Sequence, residues 1–173
     1  MIRLSFQPAL DPLHAVFRLL RLHALIRRLG SLEIDQIRIL DFYLIFPFRI
    51  AEIRLRREHV RFRKIAAPYG LTKPYGFQPE DRVLFERMRP IQWVALEALA
   101  AKGFISSSDL EKGLVRFTER PIPTELMARI DEANYADKKL FEVLELLVSE
   151  YPLHGVDGLK ARSGLLEFRY DAA

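Results

Sequence analysis

The stretch RILDFYLIFPFRIAEIRLRREHVRFRK, residues 38–64, starts apolar and ends basic. From Ile39 to Phe48 the one charge is Asp41, and from Arg54 to Lys64 there are six basic residues. A helix that spans a bilayer needs about 20 consecutive apolar residues. This run is about half that, and Pro47 and Arg49 interrupt it, so a membrane span is not expected. The apolar part reads instead as the end of a buried helix that Pro47 stops, since proline removes an N–H and disfavours helix at Phe46.

Upstream, Ser31 is a candidate cap for that helix. Ile34, Ile37, Leu40, Phe42, Leu44 and Ile45 make it apolar nearly all round towards its end, as in a helix covered on several sides. Asp41 is the exception. A carboxylate in such a run is expected to be satisfied by a neighbouring Arg or a backbone N–H. It has no second acid or metal ligand beside it to make it a catalytic acid. Before it, Asp11-Pro12 gives a side-chain cap and a first-turn proline. One helix is expected from there to Gly30, with Leu13, Val16, Phe17, Leu20, Ala24 and Leu29 on its apolar face. Arg18, Arg21, Arg28 and Arg27 are left for the other face.

Downstream, residues 50–66 read as a strongly basic helix. Arg54, Arg57, Arg61 and Lys64 fall at three- and four-residue spacing, and Arg56 and Arg63 widen the face. Such a face binds phosphates, binds an acidic protein partner, or is simply solvated. Only Phe62 lies among these cations, so the stretch lacks the interleaved aromatics of a single-strand platform. Residues 67–79, APYGLTKPYGFQP, carry two PYG triplets and read as a linker. The expected division is an N-terminal helical domain at 1–66, the linker at 67–79, and a winged-helix-like domain with C-terminal helices at 80–173. In that second part, Leu84, Met88, Ile91, Val94, Ala95 and Leu99 mark a helix that Gly103 ends. FIS and GLVRFT then read as a short hairpin. One or two helices follow, then a last strand over 164–170. The fold class is mainly α with a short β-hairpin, of winged helix-turn-helix type.

The whole chain has 173 residues, half of them hydrophobic, which suits a sizeable core. The net charge of +4 divides into +7 over residues 1–64 and −3 over the rest. There is no cysteine, which excludes disulfides, thiolate–metal sites and a thiol nucleophile. The opening MIRLSFQPALDP has no long apolar stretch and no small-residue cleavage site, so no signal peptide is expected and the location is read as cytoplasmic. His14, His23, His59 and His154 are scattered, with no phosphate loop and no nucleophile elbow. Asp137 and Lys139 form a D-x-K triplet of the kind some nucleases use, without the further acids such a metal site requires. No catalytic residue, cofactor or metal ligand is assigned.

Three segments, DPLHAVFRLLRLHALI, IRILDFYLIFPFRI and RMRPIQWVALEALAAKGFI, resemble the middle components of ABC-three-component systems, including the small subunit of Lamassu-type defence complexes. The resemblance implies a subunit without chemistry of its own. It would join an SMC- or RecN-like ABC ATPase to an effector nuclease, with DNA held in the complex, in defence against phage or plasmid DNA. It carries over no catalytic residue. The alternative is a freestanding winged-helix DNA-binding regulator, and a third reading is an enzyme of unrecognised type. The many large apolar side chains, Phe46, Phe48 and Trp93 among them, mark a candidate protein interface. Arg54, Arg56, Arg57, Arg61, Arg63 and Lys64 are the candidate DNA- or partner-binding residues.

Overall fold

The computed structural model describes residues 7–72 and 79–167. It is mainly helical, with a small antiparallel sheet. Helix α1 spans Pro12–Arg21, with Asp11 accepting a hydrogen bond from the His14 N–H at 2.8 Å. The single helix expected up to Gly30 is two: α2 begins at His23 after a break at Leu22, and Gly30 ends it with φ 86°. The apolar face is also rotated from the expected one. Leu13 is 82 % exposed, whereas Ala15, Leu19, Leu22, Leu25 and Ile26 are buried. Arg18 and Arg21 turn inward with them.

Strand β1, Leu32–Glu33, runs into helix α3, Ile34–Ile45. Glu33 rather than Ser31 caps α3, in a reciprocal box in which the Gln36 side chain accepts from the Glu33 N–H at 2.9 Å. Eight consecutive residues of α3, Ile37 to Leu44, are buried. The cause is that α1, the helix from Asp81 to Ala101 (α4) and a later helix all lie against α3. Phe42 is fully buried, with ring centroids of Phe46, Phe85 and Tyr43 at 5.2, 5.8 and 5.4 Å.

Past Pro47 the chain does not form the α-helix expected over 50–66. Pro47–Glu52 is 3-10, Ile53–Arg56 is not helical, and Arg57–Thr72 is a succession of 3-10 turns. Prolines work against a continuous α-helix here: Pro47 opens the first run and Pro68 stands inside the second, each without a backbone N–H. Ile50, Ile53 and Ala66 are buried.

Helix α4 ends near Gly103, where φ is 75°. The hairpin expected next is present as one bridge, Ile105 opposite Phe117. Between its arms lies the short helix α5, Ser107–Leu110, capped by Ser106. Strand β2, Leu114–Val115, pairs antiparallel with β1, Leu32 opposite Val115 and Glu33 opposite Leu114. The arm holding Phe117 thus lies between a segment from the first half and one from the second. Helices α6, Thr124–Ala136, and α7, Lys138–Ser149, follow, with Leu140, Val143, Leu144 and Leu147 buried. Helix α7 is the third element against α3.

Residues 164–167 of the expected last strand are not a strand, and 168–170 lie outside the described residues. Helix α8, Leu159–Ser163, comes before them and ends at Gly164 in the left-handed region. Gly158, just before α8, is buried so closely against the backbone carbonyls of Leu153 and His154 that a Cβ there has no room. This tight turn lets the Leu159 and Lys160 N–H groups bond back to Pro152 and Leu153.

The core is one contiguous cluster from Ala9 to Leu165. A buried polar network crosses it. Arg18 donates from Nε and Nη2 to the two oxygens of Asp41, at 2.6 and 3.1 Å, and from Nη1 to the Pro8 carbonyl at 2.8 Å. Gln92 of α4 donates to Asp41 at 2.9 Å and accepts from Arg38 Nε at 3.1 Å. Arg38 continues to Asp35 and Glu86, and its guanidinium lies 4.3 Å above the centre of the Phe85 ring. Asp41 is thus satisfied by an arginine, as its surroundings required. The same network fixes α1, α3 and α4 to one another.

Candidate functional site

The six cations of residues 54–64 do not share one face. Arg54 and Arg56 lie before the 3-10 turns, in a segment seated against the C-terminal turn. The Arg54 N–H donates to the Arg162 carbonyl at 3.1 Å, and Arg162 Nη1 donates to the Arg54 carbonyl at 2.6 Å. The Arg54 guanidinium donates to the Ala161 carbonyl. Arg56 lies 4.8 Å over the centre of the Tyr151 ring, and its N–H donates to the Tyr151 hydroxyl at 3.0 Å. Arg63 turns back on its own segment and donates to the Ile53 carbonyl at 2.9 Å. These three arginines hold the segment in place.

Arg57, Arg61 and Lys64 remain. All three are exposed. Arg57 and Lys64 have no hydrogen-bond or ion-pair partner among the described residues. The Arg61 guanidinium lies 5.1 Å over the ring of its neighbour Phe62. In 3-10 turns, positions three apart are in line, so Arg61 and Lys64 stand on one ridge. That ridge leads to an open cavity of about 550 Å³ lined by Lys64, Ile65, Pro68 and Tyr69 on one side and Tyr135, Ala136, Lys138 and Lys139 on the other.

Lys138, Lys139 and Tyr135 are far from Lys64 in sequence, and reading residues 38–64 alone missed them. Their one sequence signal was the KK pair beside Asp137. The D-x-K triplet itself is tied into the fold. Asp137 accepts from Arg21 at 2.8 Å and from the Tyr69 hydroxyl at 2.8 Å. Burial and this bond to Asp137 push the Tyr69 phenol up to about 12, so it stays a donor fixed on the carboxylate. Asp137 is neutralised where it stands, and the three lysines around the cavity have no described acidic partner.

The candidate protein-interface aromatics divide as well. Phe46 and Phe48 are half-buried, with ring centroids 6.2 Å apart, and Arg49 lies 5.3 Å over Phe48. Trp93 is 42 % exposed on the outer side of α4, its indole N–H donating to Glu97 at 2.8 Å. Val83 and Val94 are exposed on the same helix, and so is Pro90. Val83, Arg87, Pro90 and Val94 recur at four- and three-residue spacing, which makes one stripe of a helix.

Among the described residues, no three His, Asp or Glu side chains gather as a metal site, and no helix is long and apolar enough to cross a membrane. No curated protein and no solved structure is found to match the chain. A family model does, that of the ABC-three component system Middle Component 5, over residues 4–171. A match of this extent covers every helix described above, the buried Arg18–Asp41–Gln92 network and the basic ridge alike, and the chain belongs to that family of middle components of a multi-component ABC system.

Proposed function

We propose that the protein is a non-catalytic adaptor that joins an SMC- or RecN-like ABC ATPase to an effector nuclease in defence against phage or plasmid DNA. The family match over residues 4–171 carries this reading. The fold supports a winged-helix-like adaptor: helix, strand β1, helix α3, helix α4, then two paired arms with β1 alongside. In a winged-helix regulator the helix before the hairpin enters the major groove and reads bases with Arg, Asn or Gln. Here that helix is α4. Its Gln92 is buried on Asp41, Arg82 and Arg89 are paired with Glu167 and Glu86, and its outer stripe offers Val83, Arg87, Pro90 and Val94 with the adjoining Trp93. A face that sets Val, Pro and Trp around one arginine suits a protein partner better than a groove of bases.

The exposed cations Arg57, Arg61 and Lys64 support a DNA contact elsewhere on the molecule. The two surfaces give the adaptor one side for protein and one for the polyanion.

The test is a double substitution, Trp93→Glu with Val94→Glu, in the chain co-produced with the ABC ATPase and effector nuclease named in this proposal. Both residues are exposed, so folding, checked by circular dichroism, is expected to be retained. Co-elution with the ATPase or the effector is expected to weaken at least tenfold, as for a central aromatic anchor. Unchanged assembly would remove α4 from the interface.

A further inference from the structure

We infer that the cavity between Lys64 and Lys138–Lys139 seats an unpaired nucleotide of a single DNA strand, its base on Tyr135 and its flanking phosphates on the lysines. The inference rests on the DNA-facing part of the function proposed above and names what that surface recognises.

Four observations carry it. The first is charge. Lys64, Lys138 and Lys139 line one cavity, and none has a described partner. Asp137, the acid closest to them in sequence, is committed to Arg21 and Tyr69. Glu142 belongs to a neighbouring cavity, which Lys138 also borders. An unneutralised cluster of this kind attracts a polyanion.

The second is the ring. Tyr135 is 83 % exposed beside those lysines. A large aromatic left in water next to cations is poorly explained by packing but is what a base stacks on. Tyr69, on the opposite wall, is held by Asp137 and shapes the pocket rather than moving in it. The third is size. A volume of about 550 Å³ has room for a nucleotide, and the site is open enough for a chain to enter and leave. A paired base inside a duplex cannot reach a tyrosine in a concave wall without leaving its stack. The fourth is continuity. Arg61 and Lys64 stand in line on the ridge that runs to the cavity, so the strand's next phosphates have cations to follow.

The chemistry also favours nucleic acid over an acidic peptide. A peptide carboxylate would use the lysines but has no need of an exposed ring beside them. The stacking partner is the discriminating part of the site.

The experiment measures fluorescence anisotropy of a labelled 20-nucleotide oligothymidine, and of a duplex of the same length, with the full chain at fixed salt. Oligothymidine is expected to bind at least fivefold more tightly than duplex. Tyr135→Ala should weaken oligothymidine binding about fivefold or more and leave duplex binding unchanged. Lys138→Glu with Lys139→Glu should lower the log–log salt slope for the single strand by about 0.7 for each phosphate contact removed. Duplex bound as tightly as the single strand, or no effect of Tyr135→Ala, overturns the inference. So does binding of neither DNA. Displacement by free thymidine monophosphate at the affinity of the strand identifies a small-nucleotide site and overturns it. Equal displacement by a poly-glutamate, unaffected by Tyr135→Ala, identifies a partner's acidic segment and overturns it too. Because the Trp93 test reads assembly alone, loss of strand binding with assembly intact removes this inference and leaves the adaptor function standing.

Discussion

Asp41→Ala is expected to destabilise the protein by about 3–5 kcal/mol. Asp41 is fully buried and accepts two bonds from Arg18 and one from Gln92. Removing the carboxylate leaves the Arg18 guanidinium, itself 3 % exposed, as an uncompensated charge in the core. Such a loss is a large share of a domain's total stability, which runs to about 5–15 kcal/mol. Arg18→Met with Asp41→Leu removes both charges and fills the space with apolar atoms. The double variant is expected to recover most of the loss, because a buried pair gives little net stability over an apolar replacement. Urea denaturation of wild type and both variants measures this. Equal losses in the single and double variants would show that the charges are not the cause.

Phe42→Ala is expected to cost about 3–5 kcal/mol, the usual range for emptying a buried phenylalanine site. Phe42 has no exposed surface, and its ring meets Phe46, Phe85 and Tyr43. It joins α3 to α4, so the cavity opens between the two halves of the sequence. Phe46→Ala should cost less, because Phe46 is only half-buried and its neighbourhood can relax towards solvent. A denaturation series with the order reversed would contradict this packing.

Those two residues show how far the sequence could be read. The apolar run around Asp41 announced a helix covered on several sides, and the lone acid in it called for a cationic partner. Both are present. Asp11, Gly30 and Gly103 marked helix ends because a cap side chain and a positive φ act locally. What failed was what depends on the fold as a whole. Arg18 and Arg21 were assigned to the outer face by charge, but each has its partners elsewhere in the fold: Asp41 of α3 for Arg18, and Asn134 of α6 with Asp137 at the junction of α6 and α7 for Arg21. That pairing turned the apolar face of α1 inward at Ala15 and Leu19 and left Leu13 outside.

The basic segment failed for a different reason. Its cations fit a helix at three- and four-residue spacing, but Pro68 stands inside the run, and Arg54, Arg56 and Arg63 are drawn to the Ala161 carbonyl, the Tyr151 ring and the Ile53 carbonyl, partners that only the folded chain supplies. The cavity itself was illegible. Lys64 and Tyr135 are brought together only because the 3-10 turns pack on α7.

The central claim is that this chain bridges two other proteins. It is tested most directly by reconstituting the ABC ATPase and the effector nuclease that the proposal names, with and without the chain, and measuring the mass of the complex by size exclusion with light scattering. The adaptor reading predicts that ATPase and effector co-elute only when the chain is present, in a complex that contains all three. Co-elution of ATPase and effector without it, or a chain that elutes alone beside them, would contradict the claim.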